Sequence, residues 1–336
     1  AHGGDLSPGG ASIRLEYQVL SAIALDLALG DPRWIPHPVR WIGRFAASVE
    51  TPFRRRFGNP RTAGTVAWFV VLPATLLGAF LLVRGAHRLH PWAVDGVSIL
   101  LIYFSIAARD LVGHGEGVRR ALEKGELPGA REKVGMIVGR DIDRLDEAGV
   151  VRAAVESVAE NIVDGITAPL FYAALFGPLG AIGYRAINTM DSLFGYRNER
   201  YIDFGRTSAR VDDVANFLPA RVTGLLVPAA AFLLRLRASD AFRIFLRDRR
   251  NHPSPNSGHT EAAVAGALGV QLGGESFYGG RSSFKPHLGD PVESLHRRHI
   301  RQVNVLALTA SALAILLFLG ARLIAAICWR AGASAS

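Results

Sequence analysis

The feature that most constrains the fold is a run of 22 residues, 62–83, without a single charged side chain. As an α-helix this run is about 33 Å long, close to the roughly 30 Å of a bilayer hydrocarbon core. Three more blocks, 91–108, 218–234 and 303–327, contain one charged residue each. Helices buried in a soluble protein usually show a polar stripe, and these blocks barely do. The sequence therefore predicts an all-α, polytopic integral membrane protein.

Two further apolar blocks are less regular. Block 17–30 is short and contains Asp26, so it either spans the membrane or enters only its interface. Block 166–187 is broken by Pro169 and by a Gly-Pro step at 177–178, which predicts two half-helices or a re-entrant hairpin. A hairpin would bring the polar segments on either side of it to one side of the membrane. We expect about four to six membrane-embedded helices, amphipathic helices at 113–124 and 145–164, and no β-rich region.

Charge composition limits the partners. The chain has 38 Lys and Arg against 29 Asp and Glu, a formal net charge of +9. No basic cluster is interleaved with aromatic residues that could stack on bases, so we expect no nucleic-acid partner. Basic loops on the cytoplasmic side of a membrane explain the charge more simply, which makes the lipid bilayer the first expected partner.

Two features bound the folded unit. Residues 1–12 are Gly-rich, and we expect them to form a tail outside a single membrane-embedded domain at 13–330. Cys328 is the only cysteine, which excludes an intrachain disulfide and a cysteine-based metal site.

An acidic helix leads into the broken block. Glu156, Glu160 and Asp164 are spaced four residues apart, so a helix places them on one face, where their like charges repel. We expect Arg152 to pair with Glu156, and Mg²⁺ to be held by the other two, since Mg²⁺ prefers one or two carboxylates with phosphate and water. The alternative is a solvated acidic face, but solvated acids are costly beside an apolar block.

A second polar constellation lies at 188–221. Asn188 and Asp191 would share a helix face, while Asp212, Asp213 and Asn216 form another group of oxygen ligands. Four arginines between these groups could bind phosphate through their guanidinium groups: Arg197, Arg200, Arg206 and Arg210. The alternative is a loop whose opposite charges satisfy one another.

A third constellation lies at 251–274. Asn256 or Ser257 can cap a helix that begins near 258–259, and the start of that helix would attract an anion. The helix body at 262–272 is rich in Ala and Gly, which lets another helix or a flat ligand approach closely. His259, at the polar start, is either a ligand-binding or a structural hydrogen-bonding residue.

Five segments of this sequence resemble the CobD/CbiB family of cobalamin biosynthesis, the adenosylcobinamide-phosphate synthases, and they occur in the family's order. They are GDPRWIPHPVRWIG (30–43), GRDIDRL (139–145), VESVAENIVDGITAPLFY (155–172), INTMDSLFGYRNERYIDFGRTSARVDDVANFLPARVTG (187–224) and PNSGHTEAAVAGALGVQLGG (255–274). Together with the apolar blocks they cover most of the chain. The family's usual RDT triplet reads Arg140-Asp141-Ile142 in this chain, so a threonine hydroxyl is missing.

The resemblance implies an ATP-dependent amide ligase that joins adenosylcobyric acid to an amino alcohol phosphate, 1-aminopropan-2-yl phosphate or a related compound. The product would be adenosylcobinamide phosphate. ATP and Mg²⁺ are implied as cofactors and a corrinoid as substrate, and no nucleotide-binding fingerprint in the sequence shows ATP. The resemblance also implies a catalytic domain at 13–330 in the bacterial cytoplasmic membrane, an active site facing the cytoplasm, and a complex with neighbouring cobalamin-pathway enzymes.

Residue type suggests roles within this implied reaction, since phosphoryl transfer chiefly needs positioning, Mg²⁺ and charge neutralisation. Expected catalytic residues are Glu160, Asp164, Asp191 and His259. Expected metal ligands are Glu160, Asp164, Asp191, Asp212 and Asp213. Expected substrate- and phosphate-binding residues are Arg140, Asn161, Asn188, Arg197, Asn198, Arg210, Asn216, Arg221, Asn256 and Ser257.

Two functions of other classes stay open. Residues 256–259 are similar to the PSGH motif of lipid-type membrane phosphatases, but the other elements of that family are missing. A transporter would use the broken block 166–187 near the bilayer midplane, whereas the charges of this chain lie mostly at block edges.

Overall fold

The computed structural model describes residues 14–32, 34, 36–196 and 198–333. The tail expected at 1–12 lies outside these residues. In chain order the helices are α1 (Leu15–Leu29), α2 (Pro38–Phe57), α3 (Pro60–Leu89), α4 (Pro91–Tyr103), α5 (Ala108–Glu123), α6 (Leu127–Gly135), α7 (Glu147–Ile162), α8 (Ala168–Phe194), α9 (Arg206–Leu233), α10 (Ala238–Asp248), α11 (Ser257–Leu268) and α12 (Arg298–Ala333). A π-helical turn, Val163–Thr167, joins α7 to α8, and two strands, β1 (Leu272–Tyr278) and β2 (Arg281–Leu288), lie between α11 and α12.

Five helical stretches of the described chain are long and apolar enough to cross a bilayer. They are Pro60–Leu89, Pro91–Glu123, Glu147–Phe194, Arg206–Leu233 and Arg298–Trp329. In α3 and α12 only 17% of the most apolar window is buried within the protein, against 61% in the stretch that contains α7 and α8. The outer helices therefore present large apolar side chains to lipid, and the predicted all-α membrane fold is confirmed.

The short apolar block forms α1, whose 15 residues reach about 22 Å, less than a bilayer core. Asp26 on this helix accepts hydrogen bonds of 3.1 Å from the backbone N–H groups of Ala108 and Arg109. These groups lie in the first turn of α5, whose own N-cap residue gives no side-chain bond. The charge that interrupts the apolar block therefore caps another helix.

Proline begins each of α2, α3 and α4, at the helix position where its missing N–H is not needed. The side chain before each proline accepts a backbone hydrogen bond from the first turn: His37, Asn59 and His90. His37 Nε2 also lies 2.7 Å from Asp31 Oδ1. His37 therefore both caps α2 and contacts Asp31 near the end of α1.

The broken apolar block folds back on itself. Gly177 has φ +64°, a left-handed conformation that favours glycine, and Pro178 follows it. The two halves of α8 run antiparallel, since the rings of Tyr172 and Tyr184 stack with centroids 5.4 Å apart. The predicted break is confirmed as a helical hairpin, and the polar segments that flank it lie at one end of the hairpin.

The Ala- and Gly-rich helix α11 lies at the centre of the protein, and all 12 of its residues are buried. The helix begins at Ser257, close to the predicted start, and Asn256 is at the N-cap position. The predicted side-chain cap was wrong, because the Asn256 side chain gives no capping hydrogen bond. The predicted end at residue 272 was wrong, because Gly269 adopts a left-handed conformation (φ +65°) that terminates the helix. A Cβ atom at Gly266 would lie 2.5 Å from the carbonyl oxygen of Asp240, so glycine is needed for α10 to pack this closely.

No β-rich region is present among the described residues, as predicted, but the sequence analysis did not predict one short hairpin. Strands β1 and β2 pair antiparallel, with Tyr278 opposite Arg281. Gly279 and Gly280 form the turn, both with positive φ, as tight hairpin turns require. The carboxylate of Asp141 accepts hydrogen bonds from the backbone N–H groups of Gly279 (3.0 Å) and Gly280 (2.7 Å).

Three charged residues anchor the base of this hairpin to α7. Arg152 donates to two carbonyl groups of β1, at 2.6 and 2.7 Å. Arg140 pairs with the buried carboxylate of Glu156 and donates to Ser276 Oγ at 3.2 Å. Glu156 also accepts a hydrogen bond of 2.7 Å from the N–H of Gly273. The expected Arg152–Glu156 pair was therefore wrong, because Glu156 binds Arg140 and the strand.

Candidate active site

A cavity of about 1220 Å³ lies where the three polar constellations meet. Its walls come from the α7–α8 junction, the end of α8, the start of α9, the loop before α11 and the β-hairpin. Nine of the residues selected from the sequence line it: Glu160, Asp164, Asp191, Asn198, Asp212, Asp213, Asn216, Asn256 and Ser257. We call this space the acidic cavity.

The acidic helix supplies one wall. Glu160 and Asp164 both face the cavity, as their spacing predicted. Ser257 Oγ donates to Glu160 Oε1 at 2.9 Å, which ties α7 to the first turn of α11. The Tyr184 hydroxyl lies 3.4 Å from Asp164 Oδ1. Each carboxylate is therefore oriented by a hydroxyl group from another helix.

Asp212 is held by a network of neutral side chains. Asn216 Nδ2 donates to Asp212 Oδ2 at 2.9 Å, and Asn188 Nδ2 lies 3.4 Å from Asp212 Oδ1. The Tyr184 hydroxyl donates to Asn216 Oδ1 at 2.8 Å. Asn188 thus acts from behind the cavity wall and positions a carboxylate instead of lining the cavity itself.

The carboxylates do not form one closed metal cage. Among the described residues, no three His, Cys, Asp or Glu side chains are close enough together to hold an ion. Within the same part of the chain, Glu160, Asp164, Asp191 and Asp212 form no ion pair with Arg or Lys. An open, oxygen-only donor set fits Mg²⁺, which keeps waters and binds one or two carboxylates together with phosphate.

The β-hairpin adds cationic and polar side chains that the sequence analysis did not select. The residues of its cavity-facing part are Tyr278, Gly279, Arg281, Ser282, Ser283, Phe284 and Lys285. The sequence contains one indication of this hairpin, the Gly-Gly pair at 279–280, since such a pair between two strands is typical of a hairpin turn.

His252 is a second residue that the sequence analysis missed. Its Nε2 lies 3.5 Å from Lys285 Nζ and 3.4 Å from Glu261 Oε1. Burial and then the charge of Lys285 lower the pKa of His252. Burial and then the charges of Glu160 and Glu156 raise the pKa of Glu261. His252 Nδ1 accepts a hydrogen bond of 3.0 Å from the backbone N–H of Ser254, so the neutral imidazole carries its proton on Nε2.

Some residues selected from the sequence lie elsewhere. Arg140 is buried in the hairpin anchor, away from the lining of the acidic cavity. Asn161 Nδ2 donates to the carbonyl of Ser157 within α7 at 2.9 Å. Arg210 is exposed on α9. Arg197 lies outside the described residues.

Two other selected residues, Arg221 and His259, line a smaller cavity of about 590 Å³ beside the first. The walls of the two cavities share His252, Pro253 and Pro255. His259 was expected to be catalytic at the main site, but in the structure it belongs to this neighbouring space.

Comparison with known proteins identifies the family of this chain. The family model described as "CobD/Cbib protein" matches residues 19–307. The chain belongs to the CobD/CbiB family. Cobalamin biosynthesis protein CobD of Leptospira interrogans (serovar copenhageni) is 45% identical over 305 residues, which cover 91% of this chain and 97% of that protein. Cobalamin biosynthesis protein CobD of Geobacter metallireducens is 50% identical over 277 residues, 82% of this chain and 87% of that protein.

Another CobD/CbiB member, cobalamin biosynthesis protein CbiB of Salmonella arizonae, is 45% identical over 314 residues, 93% of this chain and 97% of that protein. No solved structure matches the chain significantly. Four of the five segments that resemble the CobD/CbiB family contribute residues to the acidic cavity: 139–145, 155–172, 187–224 and 255–274. The described residues of the fifth, 30–43, include the first turns of α2 and do not line the cavity.

Proposed function

We propose that this chain catalyses ATP-dependent amide-bond formation between adenosylcobyric acid and an amino alcohol phosphate such as 1-aminopropan-2-yl phosphate, giving adenosylcobinamide phosphate. One observation carries the proposal: in a member of the CobD/CbiB family, polar segments far apart in sequence meet in one cavity lined by Glu160, Asp164, Asp191, Asp212 and Asp213. Such a site suits phosphoryl transfer, which depends mainly on positioning and charge neutralisation.

The reaction proceeds in two steps. A carboxylate oxygen of the corrinoid propionate attacks the γ-phosphorus of ATP, the bond to the ADP oxygen breaks, and an acyl phosphate forms. The amine nitrogen then attacks the acyl carbon and phosphate leaves with the original carboxylate oxygen. Starting from an ammonium and a carboxylate, the products are the amide, ADP, hydrogen phosphate and one proton.

The acidic and the basic residues of the cavity have different roles in this reaction. Mg²⁺, held by Glu160, Asp164 or Asp191 with Asp212 behind them, would shield the negative charge of the phosphates. Lys285 and Arg281 of the hairpin add positive charge to the cavity lining. His252 lines both cavities, and the Nε2–H of its neutral imidazole could donate a hydrogen bond to a substrate oxygen.

We also propose that the acidic cavity opens toward the cytoplasm of a bacterial cell. The supporting observations are the five apolar stretches, which make the chain a multi-pass membrane protein, and the basic segments that flank them. ATP is supplied on the cytoplasmic side, so a ligase of this kind needs its nucleotide site there.

The direct test is a component-omission assay on protein in nanodiscs. The assay contains adenosylcobyric acid, 1-aminopropan-2-yl phosphate, ATP and Mg²⁺, and mass spectrometry follows the amide and ADP. We expect product only when all four are present. Hydrolysis of a phosphate ester without amide formation would instead support a phosphatase, and no turnover by folded protein would reject the ligase.

The order of bond changes has its own test. With ¹⁸O in both oxygens of the propionate carboxylate, the proposed route transfers one ¹⁸O to inorganic phosphate for each amide formed. Label in AMP would show an acyl adenylate, and unlabelled phosphate would rule out activation of the carboxylate by phosphoryl transfer.

A further inference from the structure

The smaller cavity carries an excess of positive charge. Arg221 reaches it from α9, and Arg249 and Arg250 reach it from the end of α10. Among its lining residues there is no Asp or Glu in the described part of the chain. We call this space the arginine cavity.

The guanidinium groups of this cavity are not matched by carboxylates. Arg221 donates to the carbonyl of Phe217 at 2.6 Å and lies 3.3 Å from Asn256 Oδ1, and Arg249 donates to carbonyl groups of its own helix. Within the described residues, none of the three forms an ion pair. Carbonyl and amide oxygens orient a guanidinium group but do not neutralise its charge.

Two arginines of the same helix show the contrast. Arg243 lies 3.1 Å from Asp240 and 3.0 Å from Asp290, and Arg247 lies 2.7 Å from Asp248. These two arginines of α10 thus have carboxylate partners, whereas within the described residues the three arginines of the cavity form no ion pair. Like charges held together in this way are stabilised when an anion binds.

A buried histidine completes the wall. His259 is only 6% exposed, and its Nδ1 has no hydrogen-bond partner among the described residues. Burial and then the charges of Arg221, Arg249 and Arg250 lower the pKa of His259 to about 4. The imidazole is therefore neutral at pH 7, and a neutral imidazole can donate one N–H to an anion without adding charge.

We propose that the arginine cavity binds a phosphate ester through Arg221, Arg249, Arg250 and His259, and that this ester is the phosphorylated end of the amine substrate. The assignment to the amine rests on the proposed ligase function. The cavity of about 590 Å³ is roughly half as large as the acidic cavity, and His252 lines both. A small amine held by its phosphate in one cavity can therefore direct its nitrogen toward the other.

A lipid headgroup is the other source of a phosphate ester, because exposed Leu225 and Leu246 lie on the rim of the cavity. The two sources differ in what they predict. A substrate site binds the soluble phosphorylated amine even when the membrane contains only zwitterionic lipid. A lipid site instead binds an anionic lipid and does not bind the amine.

The test measures binding by isothermal titration calorimetry to protein in phosphatidylcholine nanodiscs. The ligands are 1-aminopropan-2-yl phosphate and its unphosphorylated counterpart, 1-aminopropan-2-ol. We expect the phosphorylated amine to bind at least about tenfold more tightly, since one hydrogen bond to a charged group contributes roughly 1.5–3 kcal/mol. Arg250→Ala should lose most of this preference, and Arg243→Ala, which changes a carboxylate-paired arginine of α10, should keep it.

Each other outcome has a defined meaning. Equal affinity for the two amines, or an unchanged preference in both Arg250→Ala and Arg249→Ala, overturns the proposal. If the amine phosphate binds only weakly and nanodiscs with phosphatidylglycerol stabilise wild-type protein but not Arg250→Ala, the site belongs to lipid and the assignment to the amine is overturned. If Arg250→Ala weakens a non-hydrolysable ATP analogue as much as the amine phosphate, the cavity holds nucleotide phosphate instead.

Binding and turnover separate this proposal from the ligase proposal. A phosphate preference that Arg250→Ala removes, in a protein that forms no amide, supports the site and rejects the ligase. Amide formation with a KM for the amine phosphate that Arg250→Ala leaves unchanged supports the ligase and rejects the site.

Discussion

At the scale of single residues, His252 and His259 show how position decides the role of a titratable group. They lie seven residues apart, yet His252 lines both cavities and His259 only the smaller one. The pKa of each is lowered, first by burial and then by neighbouring cations. Both side chains are therefore neutral when the protein works near pH 7.

The lowered pKa of His259 predicts a pH dependence of stability. In the folded protein this pKa is about 4, and in the unfolded chain it is the ordinary value of about 6.5. Between these values the unfolded chain binds a proton that the folded protein does not, so stability falls as pH decreases from about 6.5 to 4. His259→Gln should lose less thermal stability between pH 7 and pH 5 than the wild type does. Equal losses would contradict a lowered pKa of His259 in the folded protein.

The residue patterns of the sequence predicted much of the acidic cavity but not the partners of its charges. Glu160 and Asp164 face one space because helical spacing fixes their direction. Glu156 has the same spacing, but it is bound by Arg140, 16 residues earlier, and by the backbone N–H of Gly273 in β1, 117 residues later. Pairing across more than 100 residues of sequence depends on packing, which no local pattern contains.

At the scale of elements, the β-hairpin forms one wall of the acidic cavity and is fixed at both ends. Its turn is held by Asp141, and its base by Arg140 and Arg152. The threonine position of the family's RDT triplet is Ile142 in this chain, and the neighbouring Asp141 acts on the backbone of the turn. The motif at 139–145 thus positions the hairpin.

Removing the carboxylate of Asp141 should loosen the hairpin. In Asp141→Asn the amide can keep only one oxygen acceptor for two N–H donors, at a cost of about 1–3 kcal/mol. Hydrogen exchange of the peptide at 272–288 should therefore be about tenfold faster or more. Asp143→Asn, at an exposed position two residues away, is the matched control. Equal exchange in the two variants would show that Asp141 does not hold the turn.

The packing of α10 on α11 gives a second element-scale prediction. A Cβ atom at position 266 would meet backbone atoms at 2.5–2.8 Å, so Gly266→Ala should destabilise the protein by roughly 1–3 kcal/mol. Gly320→Ala in α12 is the control, since a Cβ atom there has no neighbour within 4 Å. Thermal unfolding in detergent compares the two, and equal midpoints would contradict the close contact.

Elements that depend on local sequence chemistry were predicted correctly. Long uncharged runs predicted the membrane helices, and the Gly-Pro step at 177–178 predicted the break, because both depend on local chemistry. The β-hairpin was missed because two glycines in β1 and Pro286 in β2 weaken the sequence pattern of a strand. Contacts from Arg140, Asp141 and Arg152 also hold it, and no local pattern contains them.

At the scale of the whole molecule, the helical hairpin of α8 determines which polar segments share a membrane side. Single cysteines at Asp143 and Arg210, in a Cys328→Ala background, should both react with a membrane-impermeant thiol reagent from the same side. A cysteine at Phe176, beside the tip of the hairpin, should be protected by lipid or protein. Labelling of positions 143 and 210 from opposite sides would contradict the shared cavity.

The proposed ligase function requires that the amide forms in the acidic cavity. The decisive measurement compares amide formation by wild-type protein, Glu160→Gln and Glu147→Gln in the same nanodisc preparation. Both substitutions remove one negative charge from α7, but Glu160 lines the cavity and Glu147 is exposed at the other end of the helix. We expect the rate of amide formation to be lower by roughly 100-fold or more for Glu160→Gln and to be near the wild-type rate for Glu147→Gln. Wild-type rates in both variants would place the chemistry elsewhere.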